Sequence, residues 1–171
     1  MRWITCTLIA GVGLCVAASC GGSTGSGNGG GGDFGAAWTQ FCKDDAARDQ
    51  KCGGTPDEAS CTAAQSCMQA SWRTDALPPL LSCLTARECG TSDDPCFTQA
   101  GQAVPQNATT QAYFSACTSW WQQCGGSDDY CSASAALLSD ATLSAMTACM
   151  KKPCTEADTC LDPVVGKLDC W

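Results

Sequence analysis

The sequence predicts an all-α fold: a small, disulfide-rich helical bundle built from two tandem, similar four-helix-like units. Three observations predict it. Six cysteines, Cys42, Cys52, Cys61, Cys83, Cys89 and Cys96, recur in the same order as Cys117, Cys124, Cys131, Cys149, Cys154 and Cys160. Strand formers are nearly absent: from Cys20 onward there is no isoleucine, and the only valines are Val104, Val164 and Val165. Apolar residues between the cysteines recur with the helical period of 3.6.

The repeat extends beyond cysteine. Trp38 precedes Cys42 by four residues, as Tyr113 precedes Cys117. Cys52-Gly53-Gly54-Thr55 matches Cys124-Gly125-Gly126-Ser127. Leu77, Leu80, Cys83 and Leu84 match Leu143, Met146, Cys149 and Met150, and Cys96-Phe97 matches Cys160-Leu161. The units are placed at 34–100 and 112–171, with residues 101–111 as a linker.

In the first unit, Phe34, Trp38 and Phe41 fall at i, i+4 and i+7 and open a helix that Gly53-Gly54 stops. Thr55-Pro56-Asp57-Glu58 starts the second helix, with Thr55 as N-cap and Glu58 completing a capping box. That helix carries Cys61 and Cys67. Pro78-Pro79 opens a third helix, running through Leu84 to Cys89-Gly90. Ser92-Asp93-Asp94-Pro95 caps a short fourth around Cys96 and Phe97.

The second unit repeats the scheme. Tyr113, Cys117, Trp120 and Cys124 form one stripe. Ser127-Asp128-Asp129 caps the next helix, and Ser139 caps a third carrying Leu143, Met146 and Met150, which Pro153 ends. A short piece from Cys154 to Leu161 leads to Pro163 and a tail ending in Cys170-Trp171.

Ahead of the units lies an export signal, residues 1–19. Arg2 precedes an uncharged apolar run from Ile4 to Ala18, too short to span a bilayer comfortably. Ala17-Ala18-Ser19-Cys20 resembles a bacterial lipobox, with Ala17 where leucine is commonest. The resemblance covers about twenty residues and implies a lipoprotein precursor, cut before Cys20 and acylated on that cysteine. The same small residues also fit simple secretory cleavage. The stretch that follows favours the anchor: Gly21 to Gly32 holds eight glycines, no charge and no apolar side chain to bury. Residues 20–33 therefore read as a lipidated cysteine and a tether, with a span of about 20 Å for twelve residues. Gly21-Gly22, with no Asp after the cysteine, places the anchor by analogy in the outer membrane.

The 17 cysteines include Cys6, Cys15 and Cys20 in the N-terminal segment, which leaves 14. In an oxidising compartment an even number of thiols reads as disulfides. The simplest scheme puts three bridges in each six-cysteine set and joins the two unmatched cysteines, Cys67 and Cys170, across the halves. Leu137 stands where the second unit would carry a counterpart of Cys67. Six cysteines allow 15 pairings per unit, and the sequence does not choose among them.

Other chemistries find little support. C-x-x-C, C-x-C and adjacent cysteines are absent from the sequence, as is histidine, so no metal, redox or other cofactor is expected. The acidic pairs Asp44-Asp45, Asp93-Asp94 and Asp128-Asp129 lack a calcium-loop pattern, and the latter two suit helix first turns. A net charge of −8 argues against nucleic acid. No catalytic motif stands out: Gly21-Gly22-Ser23-Thr24-Gly25 matches a hydrolase elbow only formally, without strand, helix or histidine. The expectation is a non-enzymatic module, anchored to the membrane through Cys20, with a protein or glycan partner at the cell surface. The alternative is a carrier of small apolar ligands. The aromatics Trp38, Phe41, Trp72, Tyr113, Phe114, Trp120 and Trp121 are assigned to the core, with one of the neighbours Trp120 and Trp121 turned outward as a contact.

Overall fold

The computed structural model describes residues 31–125 and 128–170, with side chains from Phe34 onward except 126–129. Among these residues there are eight α-helices, two 3-10 turns and no strand. The signal segment, Cys20, Ser127 and Trp171 lie outside the described residues or side chains.

The first half is built from α1 (Gly31–Lys51), α2 (Glu58–Ala63), α3 (Gln65–Ser71), α4 (Leu77–Ala86) and α5 (Asp94–Ala103). Phe34, Trp38, Phe41 and Cys42 bury the inner stripe of α1, against which α2 and α4 pack. Leu77, Leu80, Leu81 and Leu84 fill the same core from α4. Gly53 ends α1 at φ +79, a conformation that costs glycine nothing.

Five boundaries in this half differ from the expectation. α1 takes in residues 31–33 of the stretch read as a tether, and α4 stops at Ala86, short of Cys89-Gly90, because the backbone turns extended at Arg87. The N-cap of the second helix is Asp57, not Thr55: its carboxylate accepts from the Ser60 N–H at 3.0 Å. The Thr55–Glu58 capping box is therefore replaced by a one-residue cap that reaches the same kind of free donor. The helix expected to carry both Cys61 and Cys67 is divided at Ala64, which ends α2 and precedes α3. The fourth helix continues through Ala103.

The second half holds α6 (Ala108–Cys124), α7 (Asp140–Met150) and α8 (Cys154–Val165). Tyr113, Cys117 and Trp120 bury one face of α6, and Leu143, Met146, Cys149 and Met150 meet it from α7. Ser139 caps α7, accepting from the Thr142 N–H at 3.3 Å. Pro163 lies in the last turn of α8, which runs past the expected end at Leu161.

Between α6 and α7 the expected α-helix is replaced by two 3-10 turns, Asp128–Cys131 and Ala133–Leu137. The reason lies in the neighbouring half. The second turn packs on α5, and a β-carbon built at Gly101 would sit 2.1 Å from the Ala133 carbonyl oxygen. The turn carries Ala136 and Leu137 into the first core, where Leu137 is fully buried. Gly101, expected in a linker, is thus a helix residue in close backbone contact. The non-helical stretch is confined to 104–107, and Asn107 caps α6 by accepting from the Thr110 N–H at 2.9 Å.

The halves are further stitched by backbone. Trp72 and Leu138 form an antiparallel bridge; Arg73 N–H donates to the Leu137 carbonyl at 2.8 Å, and Ser139 N–H donates to that of Ser71 at 2.9 Å.

Candidate functional site

All 14 cysteines from Cys42 to Cys170 are paired, with Cα separations of 5.4 to 5.7 Å, inside the usual range for unforced bridges. The first half joins Cys42 to Cys61, Cys52 to Cys89 and Cys83 to Cys96. The second joins Cys117 to Cys131, Cys124 to Cys154 and Cys149 to Cys160. The order is the same in both: first to third, second to fifth, fourth to sixth. Cys67 and Cys170 form the cross-link between halves.

Burial follows the same order. The first-to-third bridges rest on buried Cys42 and Cys117, and the fourth-to-sixth on buried Cys96 and Cys149. The second-to-fifth bridges lie at the surface, with Cys89 and Cys154 exposed. Among the described residues no cysteine is left as a thiol, and no group of three or more His, Cys, Asp and Glu is arranged to hold a metal. Seven bridges belong to an oxidising, extracytoplasmic compartment. Among the described residues no helix is long and apolar enough to cross a membrane.

The aromatics separate into three groups. Trp38, Phe41, Tyr113 and Trp120 are core, as expected. Trp121 is 44% exposed and is the one large apolar side chain turned outward among the described residues. Trp72 and Phe114, also expected in the core, are half-buried and belong to neither core alone: each packs against both.

Trp72 also lines a crevice of about 170 Å³ where the halves meet. Phe97 joins it from the first half, with the two ring centroids 6.1 Å apart. Tyr113 and Tyr130 contribute from the second, together with the hydroxyl-bearing Ser132 and Ser134, and buried Leu138 and Met146 complete the apolar wall. The Tyr113 hydroxyl donates to the Tyr130 carbonyl. Burial holds the Tyr113 phenol well above its ordinary pKa, and the neighbouring Tyr130 adds to the effect. Two indole N–H groups, those of Trp72 and Trp120, are buried with no hydrogen-bond partner among the described residues. Each such donor costs about 1–3 kcal/mol.

The assignment of Trp72 to the core therefore needs correction, since it is half-buried and lines a cleft; Tyr113 lines the same cleft while staying fully buried in the second core. Tyr130, Ser132 and Ser134 carry no signal in the sequence, and Phe97 stands out only as the repeat match of Leu161. The signal available was weak: a tryptophan five residues before Leu77, where the second half has Leu138 five residues before Leu143.

A larger, open groove of about 510 Å³ runs along α6, lined by Ser115, Ser119, Gln123, Lys151 and Lys152 among others. A third cleft beside α1 and α4 includes one carboxylate, Asp44. None of these clefts brings two carboxylates together.

By fold and framework the chain is a disulfide-rich all-α protein. No protein-family model, curated protein or solved structure matches it.

Proposed function

We propose that this chain is a lipid-anchored module of the bacterial cell envelope, held through Cys20, most simply in the outer membrane, and acting in interaction or structure rather than catalysis. The observation that carries the reading is the consumption of all 14 cysteines of the body in bridges, which leaves no thiol for metal or redox work. Phe34, one residue past the tether, is already buried in the first core. A lipid on Cys20 then keeps the body within about 20 Å of the bilayer, the span of a short glycine-rich coil. Trp121 offers an aromatic contact to a protein or glycan partner at the surface.

The test is the intact mass of the protein from its native host, with and without reduction and alkylation. An acylated N-terminal Cys20, with 14 cysteines that alkylate only after reduction, is the expected result. A chain without acyl groups makes it a secreted protein. Thiols that alkylate without reduction overturn the structural role of the cysteines.

The second reading, a carrier of small apolar ligands, is favoured by the aromatic crevice between the halves. Its volume falls below the roughly 300–1,000 Å³ of sites for drug-sized ligands, which restricts any cargo to a small one.

A further inference from the structure

We propose that the crevice between the halves binds one small, uncharged organic molecule of single-ring size that carries a hydrogen-bond acceptor. The inference does not rest on the lipid anchor. Size comes first. The crevice measures about 170 Å³. An engineered apolar protein cavity of about 150 Å³ takes up benzene, so the space suits one six-membered ring.

The lining sets the chemistry. Trp72, Phe97, Tyr113 and Tyr130 present four aromatic rings, and no Lys, Arg, Asp or Glu lines the space. A charged guest would lose its hydration there with nothing to replace it, so the guest is neutral. The Trp72 N–H is buried and unpartnered; the ring must turn slightly toward the crevice for an acceptor on the guest to reach its edge and relieve that cost. The Tyr113 hydroxyl is already engaged with the Tyr130 carbonyl, and the Ser132 and Ser134 hydroxyls lie 2.7 Å from each other. That serine pair keeps one O–H that can donate, and the Tyr130 hydroxyl is a donor too; the indole is the lining donor that is buried without a partner, and so the one that gains most from a guest's acceptor.

The site is also braced. The Trp72–Leu138 backbone bridge and the Cys67–Cys170 disulfide tie its two sides together. A guest between halves held in this way needs little rearrangement of the backbone, which favours binding.

The experiment uses the full, oxidised protein labelled with ¹⁵N and two probes, cyclohexanone and benzene. The indole N–H signals are followed as each probe is added, with the Trp72 signal assigned from Trp72→Phe. Saturable movement of the Trp72 signal is expected with cyclohexanone, with the Trp120 and Trp121 signals left in place. In Trp72→Phe, followed through the backbone amides of 132–135, cyclohexanone affinity falls about threefold to tenfold, the worth of one hydrogen bond, while benzene affinity changes less than twofold. Ser132→Phe, at an exposed position that lines the crevice, blocks both probes while leaving the indole intact. Loss of helical circular dichroism would identify a misfolded variant, and the wild-type titration then decides alone. Absence of saturation, equal movement of all indoles, or full cyclohexanone affinity in folded Trp72→Phe overturns the proposal.

Discussion

Trp38 donates its indole N–H to the carbonyl of Cys61 at 2.9 Å, so the residue four positions before the first cysteine of the repeat fastens the third. Tyr113 occupies the matching position in the second half, and its hydroxyl donates to the carbonyl of Tyr130, next to the third cysteine, Cys131. Both rings are fully buried. Different aromatic side chains thus make the same tie, across a bridge that already joins the same two segments.

Tyr113→Phe removes the donor and little else. The Tyr130 carbonyl then loses this partner, at a cost of about 1–1.5 kcal/mol. Trp38→Phe removes the donor and part of a fully buried ring, so it costs more, about 2–4 kcal/mol. Urea unfolding under non-reducing conditions measures both. Equal stability of Tyr113→Phe and wild type would mean the tie contributes nothing beyond the bridge.

Tyr113 also makes stability depend on alkaline pH. Its folded-state pKa is raised, first by burial and then by Tyr130. Below about pH 10 the phenol is protonated in both folded and unfolded states, and its contribution is constant. Above that, the unfolded chain gives up the proton while the folded chain keeps it, so stability falls as pH rises. The chain has two tyrosines. Absorbance of phenolate should therefore rise in a delayed step that belongs to Tyr113 and disappears in Tyr113→Phe.

Much of the fold could be read from local pattern. The stripes of α1, α6 and α7 follow from apolar spacing, and Ser139 announces a cap. The pairing order could not be read, because which cysteines meet depends on how helices pack. The same holds where the halves dock. Leu137, the misfit at the position equivalent to Cys67, completes the core of the other half. The 3-10 turns around Ala133 follow from a backbone crossing at Gly101, and the crevice joins Trp72 and Phe97 to Tyr113 and Tyr130. Each of these relations spans the halves, and short-range periodicity carries no record of them.

Burial predicts the order in which the bridges yield to reductant. Thiol–disulfide exchange needs access of the attacking thiolate to sulfur. Cys52–Cys89 and Cys124–Cys154 lie at the surface, whereas four other bridges each place one cysteine in a core. Limited reduction, alkylation and peptide mapping should label Cys89 and Cys154 early in both halves. Early labelling of Cys42 or Cys117 would show that the cores open before the surface bridges do.

Gly101→Ala tests the crossing of α5 over the 3-10 turn. A new β-carbon would meet the Ala133 carbonyl oxygen at 2.1 Å and the Ser134 Cα at 2.9 Å, both backbone atoms. Alanine is favoured over glycine in a helix by about 1 kcal/mol, but overpacking of this kind typically costs about 1–3 kcal/mol and forces backbone to shift. The expected net effect is a loss of up to about 2 kcal/mol. Gly35→Ala is the control: its β-carbon would meet only the end of the Gln65 side chain, at 3.1 Å. That variant should match or exceed wild-type stability in the same urea experiment.

The Cys67–Cys170 bridge tests how far the halves depend on one another. It closes the longest loop in the chain, with a sequence separation of 103. In the chain-entropy account a loop of about 100 residues is worth about 4.7 kcal/mol, more than a bridge across about 15 residues at about 3 kcal/mol. Yet the halves are also joined by the Trp72–Leu138 bridge, by Leu137 in the first core and by Ser71 Oγ donating to the Lys167 carbonyl at 3.2 Å. Replacing both cysteines with serine should therefore lower stability by about 2–5 kcal/mol while leaving a single unfolding transition. Two transitions would mean that the shared core is too small to couple the halves, and that the disulfide alone makes them one body.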